Sequence, residues 1–210
     1  MDLYFSPLAC SLATRIALDE AGAAVNFIEV DPVTHRTLEG HAFRDVAPLA
    51  LVPLLRTDSG DILTENAAVL QYVASRFPEA GLAPAGEMGR ARLQQWLCFL
   101  GTELHKVVFA PLFDRTAPEG AKAYALGKAP ARFDVLEQHL ATTETLLGSF
   151  SVADAYLVTI LNWVQATPID LARWPAVAAY LARHRTRPSV ARSLAIELPL
   201  YLEEQKRHRA

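Results

Sequence analysis

Cysteine is nearly absent from this chain, with two in 210 residues. That excludes a disulfide framework and fits a reducing compartment. No run approaches the roughly 20 uninterrupted apolar residues that cross a bilayer. Met1-Asp2-Leu3-Tyr4 has neither the basic region nor the apolar stretch of a secretory leader. A cytoplasmic location without membrane contact is therefore expected. A basic surplus is missing too: the formal net charge is −3. Lys and Arg are dispersed except from Lys206 to Arg209, which reads as the solvated end of a helix, so nucleic acid is not an expected partner. Internal repeats and low-complexity tracts are absent. What the chain does have is apolar content, 51% hydrophobic, enough to bury one large core or two small ones.

The pattern changes near residue 80. Before it, short β-like runs alternate with helical signals: Leu3 to Phe5, a helix after Cys10, Val25 to Val30, then Leu54 to Arg56 and Ile62 to Leu63 around the turn Asp58-Ser59-Gly60. Residues 1–78 thus read as a small α/β domain. Residues 79–87, rich in Gly and Pro, read as a linker. Residues 88–210 read as helical, with Leu93, Trp96, Leu97, Leu100 and Leu104 repeating at three and four.

Four positions carry chemistry. Cys10 stands where the first strand turns through Pro7 into a helix with Leu12, Ile16, Ala17 and Ala21 at helical spacing and Gly22 as the stop. It reads either as a small buried hydrophobe or as a thiol whose anion the helix N-terminus stabilises. Val52-Pro53 enters the next strand, where proline is confined to an edge, a first residue or a bulge. There the Val52 backbone can pair with an extended peptide. Thr64-Glu65-Asn66 opens a helix, either as caps or as a cradle that holds a ligand carboxylate on helix N–H groups while Glu65 faces an ammonium. Cys98, Gly101, Thr102 and His105 recur at i, i+3, i+4 and i+7. That face serves close helix packing, or it looks onto Cys10 with His105 taking the thiol proton and Lys106 adding positive potential. Ser151-Val152-Ala153-Asp154 is a capping-box start to a very apolar helix, with a folding role.

Together these residues resemble the cytosolic glutathione transferases, and among them the bacterial beta class. The resemblance rests on Tyr4-x-Ser6-Pro7-x-Ala9-Cys10-Ser11-Leu12, Val52-Pro53, Leu63-Thr64-Glu65 leading to Gln71-Tyr72, Trp96-Leu97-x-Phe99, Glu103-Leu104-His105-Lys106, and Phe150 through Tyr156. It implies a thioredoxin-like N-terminal domain followed by an all-helical C-terminal domain, a cis proline at 53, and a homodimer. Glutathione is the implied co-substrate, with no metal. Its sulfur would meet Cys10, its cysteinyl backbone would pair with Val52, and Glu65 and Asn66 would hold its γ-glutamyl end. His105 and Lys106 would face the sulfur. Phe109, Phe113 and Trp163 would line the pocket for a small hydrophobic electrophile. The implied reaction is conjugation in detoxification, or thiol–disulfide exchange through Cys10.

The departures from the family pattern gather on the glutathione side. Asn-Pro-Lys-Gly before Val-Pro is Ala47-Pro48-Leu49-Ala50, and a loop lysine is His35. The helix-start serine is Asn66, and the asparagine of Trp-Leu-Asn-Phe is Cys98. A glycine beside the cysteine is Leu8, and Pro-His is Thr14-Arg15. Each lost charged contact removes about 1.5–3 kcal/mol, so two or three would move a micromolar site toward millimolar. The competing reading is a weakly binding, noncatalytic relative that serves as an assembly module. A Cys10–Cys98 disulfide requires their Cα atoms within about 7 Å. The end segment Leu198-Pro199-Leu200-Tyr201-Leu202 reads either as a cover for the cleft or, the favoured reading, as the closure of the helical core.

Overall fold

The computed structural model describes residues 1–208 and divides into two units, 1–80 with 188 onward, and 81–187. In the first unit β1 (Asp2–Phe5) lies mid-sheet, and Leu3, Tyr4 and Phe5 are all buried, as an apolar run covered on both faces requires. Helix α1 (Leu12–Glu20) buries Leu12, Ile16 and Ala17. It ends where Gly22 takes φ +61° while the Ala23 and Gly22 amides bond back to the Leu18 and Asp19 carbonyls, a turn that glycine makes at least cost. The chain returns as β2 (Asn26–Asp31), parallel to β1 with Leu3 opposite Phe27. A two-residue β3 (Arg36–Thr37) pairs antiparallel at the edge. Then come β4 (Leu54–Arg56), antiparallel to β1, and β5 (Ile62–Leu63), antiparallel to β4, giving the order β3-β2-β1-β4-β5. Helix α2 (Asn66–Arg76) follows and packs on α1. This is a thioredoxin-like sheet and helix arrangement.

One face of the sheet closes over Tyr4, Val30, Phe43, Ala47, Ala50 and Leu54, with the Tyr4 and Phe43 rings stacked at 5.3 Å. Two of the departures noted above, Ala47 and Ala50, therefore belong to a hydrophobic core.

The second unit is helical. Helix α3 (Glu87–Phe99) continues without a break through a wider, π-type stretch, Leu100–Phe109, in which the Ala110 amide reaches the His105 carbonyl five residues back. It then finishes as α4 (Ala110–Phe113). This rod, Glu87–Phe113, is 27 residues long and has a mean hydropathy of 1.2 over its most apolar window. By length and composition alone it is able to cross a membrane. Its apolar side is used within the unit: Leu93, Leu97, Leu100, Leu104 and Val108 are buried, and Glu103 pairs with Arg132 of α5 (Glu119–Leu140) at 2.6 Å. Helix α6 (Val152–Asn162) is buried along its whole length, as a helix apolar on all sides must be. Its start is held by Asp154, which accepts from the Ser151 amide and hydroxyl, the Leu146 amide and the Tyr180 hydroxyl at 2.8–2.9 Å. Glu137 of α5 accepts from the first amides of α7 (Pro175–Arg185).

The last helix, α8 (Pro188–Arg207), corrects the expectation that residues 88–210 form one helical domain, since it packs on α1 of the first unit. It also reverses the expected polarity. Ser189, Val190, Ser193, Glu197 and Glu204 are its buried residues, whereas Leu198 and Leu202 stand half exposed at 51% and 52%. The apolar run there does not close a core, because its register turns the carboxylates inward. The basic tail is the exposed end of α8 at Lys206 and Arg207, where Arg207 also pairs with Glu29 at 2.7 Å and His208 with Asp31 at 2.9 Å. Arg209 lies outside the described residues.

Candidate functional site

In the first unit the loop from Ser6 to Cys10 leads into α1 through backbone turns, Ala9 N–H to Ser6 O and Leu12 N–H to Ala9 O. The Ser11 hydroxyl donates to the Ser6 carbonyl and accepts from the Ser6 amide, which ties the two ends together. Cys10 is neither on the buried stripe of α1 nor fully exposed. Its Sγ donates to the Val52 carbonyl at 3.1 Å. The Val52–Pro53 bond is cis. Val52 precedes β4 and stands outside its ladder, so it carries backbone polar groups beside a thiol at a helix entrance. The Val52 carbonyl that the sequence offers to an extended peptide also takes the Cys10 thiol.

Glu65 precedes α2 with φ +63°, ψ +118°, and its side chain is exposed. A non-glycine residue there carries strain of order 1–3 kcal/mol, a conformation that clusters at ligand clamps. Capping does not account for it, because no side chain caps α2. Only the Ala68 and Val69 amides turn back to the Glu65 carbonyl, at 2.9 and 3.0 Å. Asn66 is 6% exposed; its Oδ1 accepts the Thr14 hydroxyl at 3.2 Å while its buried Nδ2 has no hydrogen-bond partner among the described residues. His35 sits in the loop after β2 at φ +53°, and its buried Nδ1 is likewise unpartnered.

Two departures have a shared backbone meaning. Leu8 and Ala50, standing where the family pattern has glycine, hold φ +58° and +52°. The left-handed conformation is kept although the residue that adopts it freely is not. Leu49 beside Ala50 is 73% exposed and supplies no cation.

In the second unit His105 contacts Trp163 at 4.9 Å between ring centroids and places Nδ1 2.7 Å from the Tyr156 hydroxyl. Burial, reinforced by Lys106, lowers its pKa from 6.5 to about 4. At pH 7 the imidazole is therefore neutral and only weakly basic. Phe109, Phe113 and Trp163 form one aromatic cluster, with Trp163 centroids 5.6 Å from Phe109 and 5.9 Å from Phe113. Phe109 is fully buried and serves as the floor of that cluster, whereas Phe113 is 42% exposed. Cys98 is exposed, its carbonyl takes the Thr102 hydroxyl at 2.9 Å, and both cysteines carry thiols. Lys106 is exposed.

Sequence reasoning missed Tyr156 as the partner of His105, and Glu197 and Glu204 as partners of the cysteine loop. Glu197 accepts two bonds, from the Leu8 amide at 2.7 Å and from Arg15 Nε at 2.6 Å. Glu204 accepts from the Ser6 hydroxyl at 3.2 Å. The one available signal was Ser189, Ser193 and Glu197 recurring every four residues, opposite the apolar run.

Known proteins share this fold. Residues 3–81 match the model for the glutathione S-transferase N-terminal domain, and residues 100–188 the model for its C-terminal domain. The glutathione S-transferase GstA of Escherichia coli O157:H7 is 35% identical over 94% of this chain and 98% of its own. A sphingomonad glutathione S-transferase solved in complex with glutathione superposes with a TM-score of 0.90 at 43% identity, covering 94% of this chain and 98% of that one. The bacterial beta-class enzyme of Sphingomonas chungbukensis does so with a TM-score of 0.90 at 42% identity over the same shares. This chain belongs to the glutathione S-transferase family.

Proposed function

We propose that the protein is a glutathione transferase that binds glutathione on its first unit and joins the glutathione sulfur to small hydrophobic electrophiles. The observation that carries this reading is the Cys10 thiol at the mouth of α1, bonded to the carbonyl of Val52 before a cis proline. An extended cysteinyl backbone pairs with the Val52 N–H and C=O as a short added strand. In doing so it takes the carbonyl from Cys10 and leaves that thiol facing the incoming sulfur. The uncapped amides of α2 receive the γ-glutamyl carboxylate. The strained Glu65 presents its carboxylate to the neighbouring ammonium, and the unpartnered Asn66 Nδ2 supplies a further donor. His35 and its unpartnered Nδ1 stand in for the loop cation.

In conjugation the glutathione thiolate attacks the electrophilic carbon, a C–S bond forms, and the leaving group departs with its electron pair. Cys10 donates a hydrogen bond that favours the thiolate. In exchange, the Cys10 thiolate attacks the sulfur of a glutathione mixed disulfide and expels the other thiolate. A second glutathione thiolate then displaces Cys10 and leaves as oxidised glutathione. Cys10-Ser11-Leu12-Ala13 holds no resolving cysteine, so external glutathione completes the cycle. The exposed ring of Phe113 and the half-buried Trp163 suit an aromatic or alkyl electrophile. His105, Lys106 and Cys98 are assigned to the same reaction, His105 as a neutral hydrogen-bonding group. A cytoplasmic homodimer acting in detoxification completes the reading.

Calorimetric titration of the reduced protein with glutathione, with Cys10→Ala alongside, tests it. Saturable binding at or below about a millimolar, within the usual range for enzyme ligands, followed by turnover of an aryl halide, is the expected result. Loss of exchange with conjugation retained in Cys10→Ala assigns the thiol to exchange. Absence of binding heat overturns the reading in favour of a noncatalytic assembly module, for which Leu49 and the core placement of Ala47 and Ala50 are the supporting features.

A further inference from the structure

The loop that carries Cys10 is tethered twice to α8. The Leu8 amide donates to Glu197 Oε2 at 2.7 Å, and the Ser6 hydroxyl donates to Glu204 Oε2 at 3.2 Å. Both carboxylates are buried, Glu197 to 0% and Glu204 to 4% exposure. Leu8 is the loop residue held at φ +58°, so the Glu197 bond falls on the backbone unit least stable on its own. The other oxygen of Glu197 takes Arg15 Nε at 2.6 Å, and the Arg15 guanidinium lies 3.7 Å from the Phe27 ring centre and 4.6 Å from that of Phe5. One carboxylate thus joins the loop before Cys10 to the helix after it.

From this geometry we infer that Glu197, seconded by Glu204, is a positioning residue that sets where the Cys10 sulfur stands. The hydrogen bonds these carboxylates take from the loop come from Leu8 and Ser6. They hold Leu8 and Ser6, the backbone between those residues fixes Cys10, and Cys10 in turn meets Val52. A purely structural clamp would use apolar packing, since a buried ion pair is a poor source of net stability. Here the carboxylates sit in a helix whose apolar side chains Leu198 and Leu202 face outward. Burial pushes Glu197 up to about 7 against the pull of Arg15, and Glu29 adds to the rise. Such a cost is retained for the bond that carboxylate makes.

The inference rests on the glutathione reading for its role in turnover, but its first test does not. In a Cys98→Ser background, the rate of Cys10 modification by dithiodipyridine is followed between pH 6 and 9 for the parent, Glu197→Ala and Glu197→Gln. Each variant is first shown by circular dichroism and urea unfolding to be folded. Glu197→Ala is expected to release Cys10 from Val52 and speed its modification at least five-fold. Glu197→Gln keeps an oxygen for the Leu8 amide and returns the rate to within two-fold of the parent. The glutathione KM of Glu197→Ala should rise at least five-fold, with kcat within two-fold. Equal Cys10 rates in the parent and a folded Glu197→Ala overturn the inference. Should Glu197→Ala not fold, Ser6→Ala, which removes only the second tether, is expected to change the rate two- to three-fold, and an unchanged rate overturns the inference. A parent without glutathione turnover overturns the transferase reading alone, because the thiol rates still decide this one.

Discussion

Tyr156 and His105 meet hydroxyl to Nδ1 at 2.7 Å, and the imidazole so held is a neutral one with its pKa lowered to about 4. The folded value lies below the ordinary 6.5, so this group takes nothing from stability above pH 6.5. As pH falls toward 4, the unfolded chain binds a proton that the folded one refuses. By pH 4.5 that amounts to about 2–3 kcal/mol. Urea unfolding at pH 7 and pH 4.5 should show His105→Gln losing less stability than the parent by about this amount. Equal losses would mean that His105 titrates normally.

Ala50 holds φ +52° at 8% exposure. Glycine relaxes that backbone but removes a buried methyl and loosens the unfolded chain, so Ala50→Gly should stay within about 1 kcal/mol of the parent. Ala50→Val places a β-branched side chain where such residues are genuine outliers, and it should lose about 2–4 kcal/mol. A neutral Ala50→Val in denaturant titrations would contradict the left-handed conformation.

Glu65 separates binding from stability. Glu65→Gly relieves the backbone at φ +63° and deletes the carboxylate. Thermal unfolding should hold or improve, while glutathione affinity falls at least ten-fold, as the loss of a charged contact of about 1.5–3 kcal/mol requires. Unchanged affinity by calorimetry would remove Glu65 from the ligand's environment.

Asp154 accepts four hydrogen bonds at 0% exposure. Asp154→Ala should lose about 3–5 kcal/mol, the scale of breaking a buried charged network. Tyr180→Phe removes one of the four and should lose about 1.5–3 kcal/mol. The ratio of the two in equilibrium unfolding tests whether Asp154 acts as a hub or as a simple cap.

Local periodicity and punctuation made much of this legible. The strands at Leu3 to Phe5, Leu54 to Arg56 and Ile62 to Leu63, the Gly22 stop of α1 and the Ser151–Asp154 box all lie near where their patterns place them, because each depends on neighbours along the chain. The two-residue β3 had no run long enough to signal it. The π-type stretch was hidden because Leu93, Leu97, Leu100 and Leu104 fit ordinary helical spacing. On the site side, Cys10, Val52 and Glu65 could be singled out by their places at element boundaries. Glu197 was marked only by its four-residue recurrence with Ser189 and Ser193, which carries no sign of the amide it meets almost 190 residues away.

The return of α8 to the sheet unit sets an order of synthesis. Arg15 leaves the ribosome early, and the carboxylate that pairs with it comes 182 residues later. Until then the first 80 residues form an unfinished unit, with a buried cation lacking its counter-charge and the cysteine loop lacking its tether. A truncation that removes Glu197 and Glu204 therefore also removes the carboxylates bonded to the loop before Cys10.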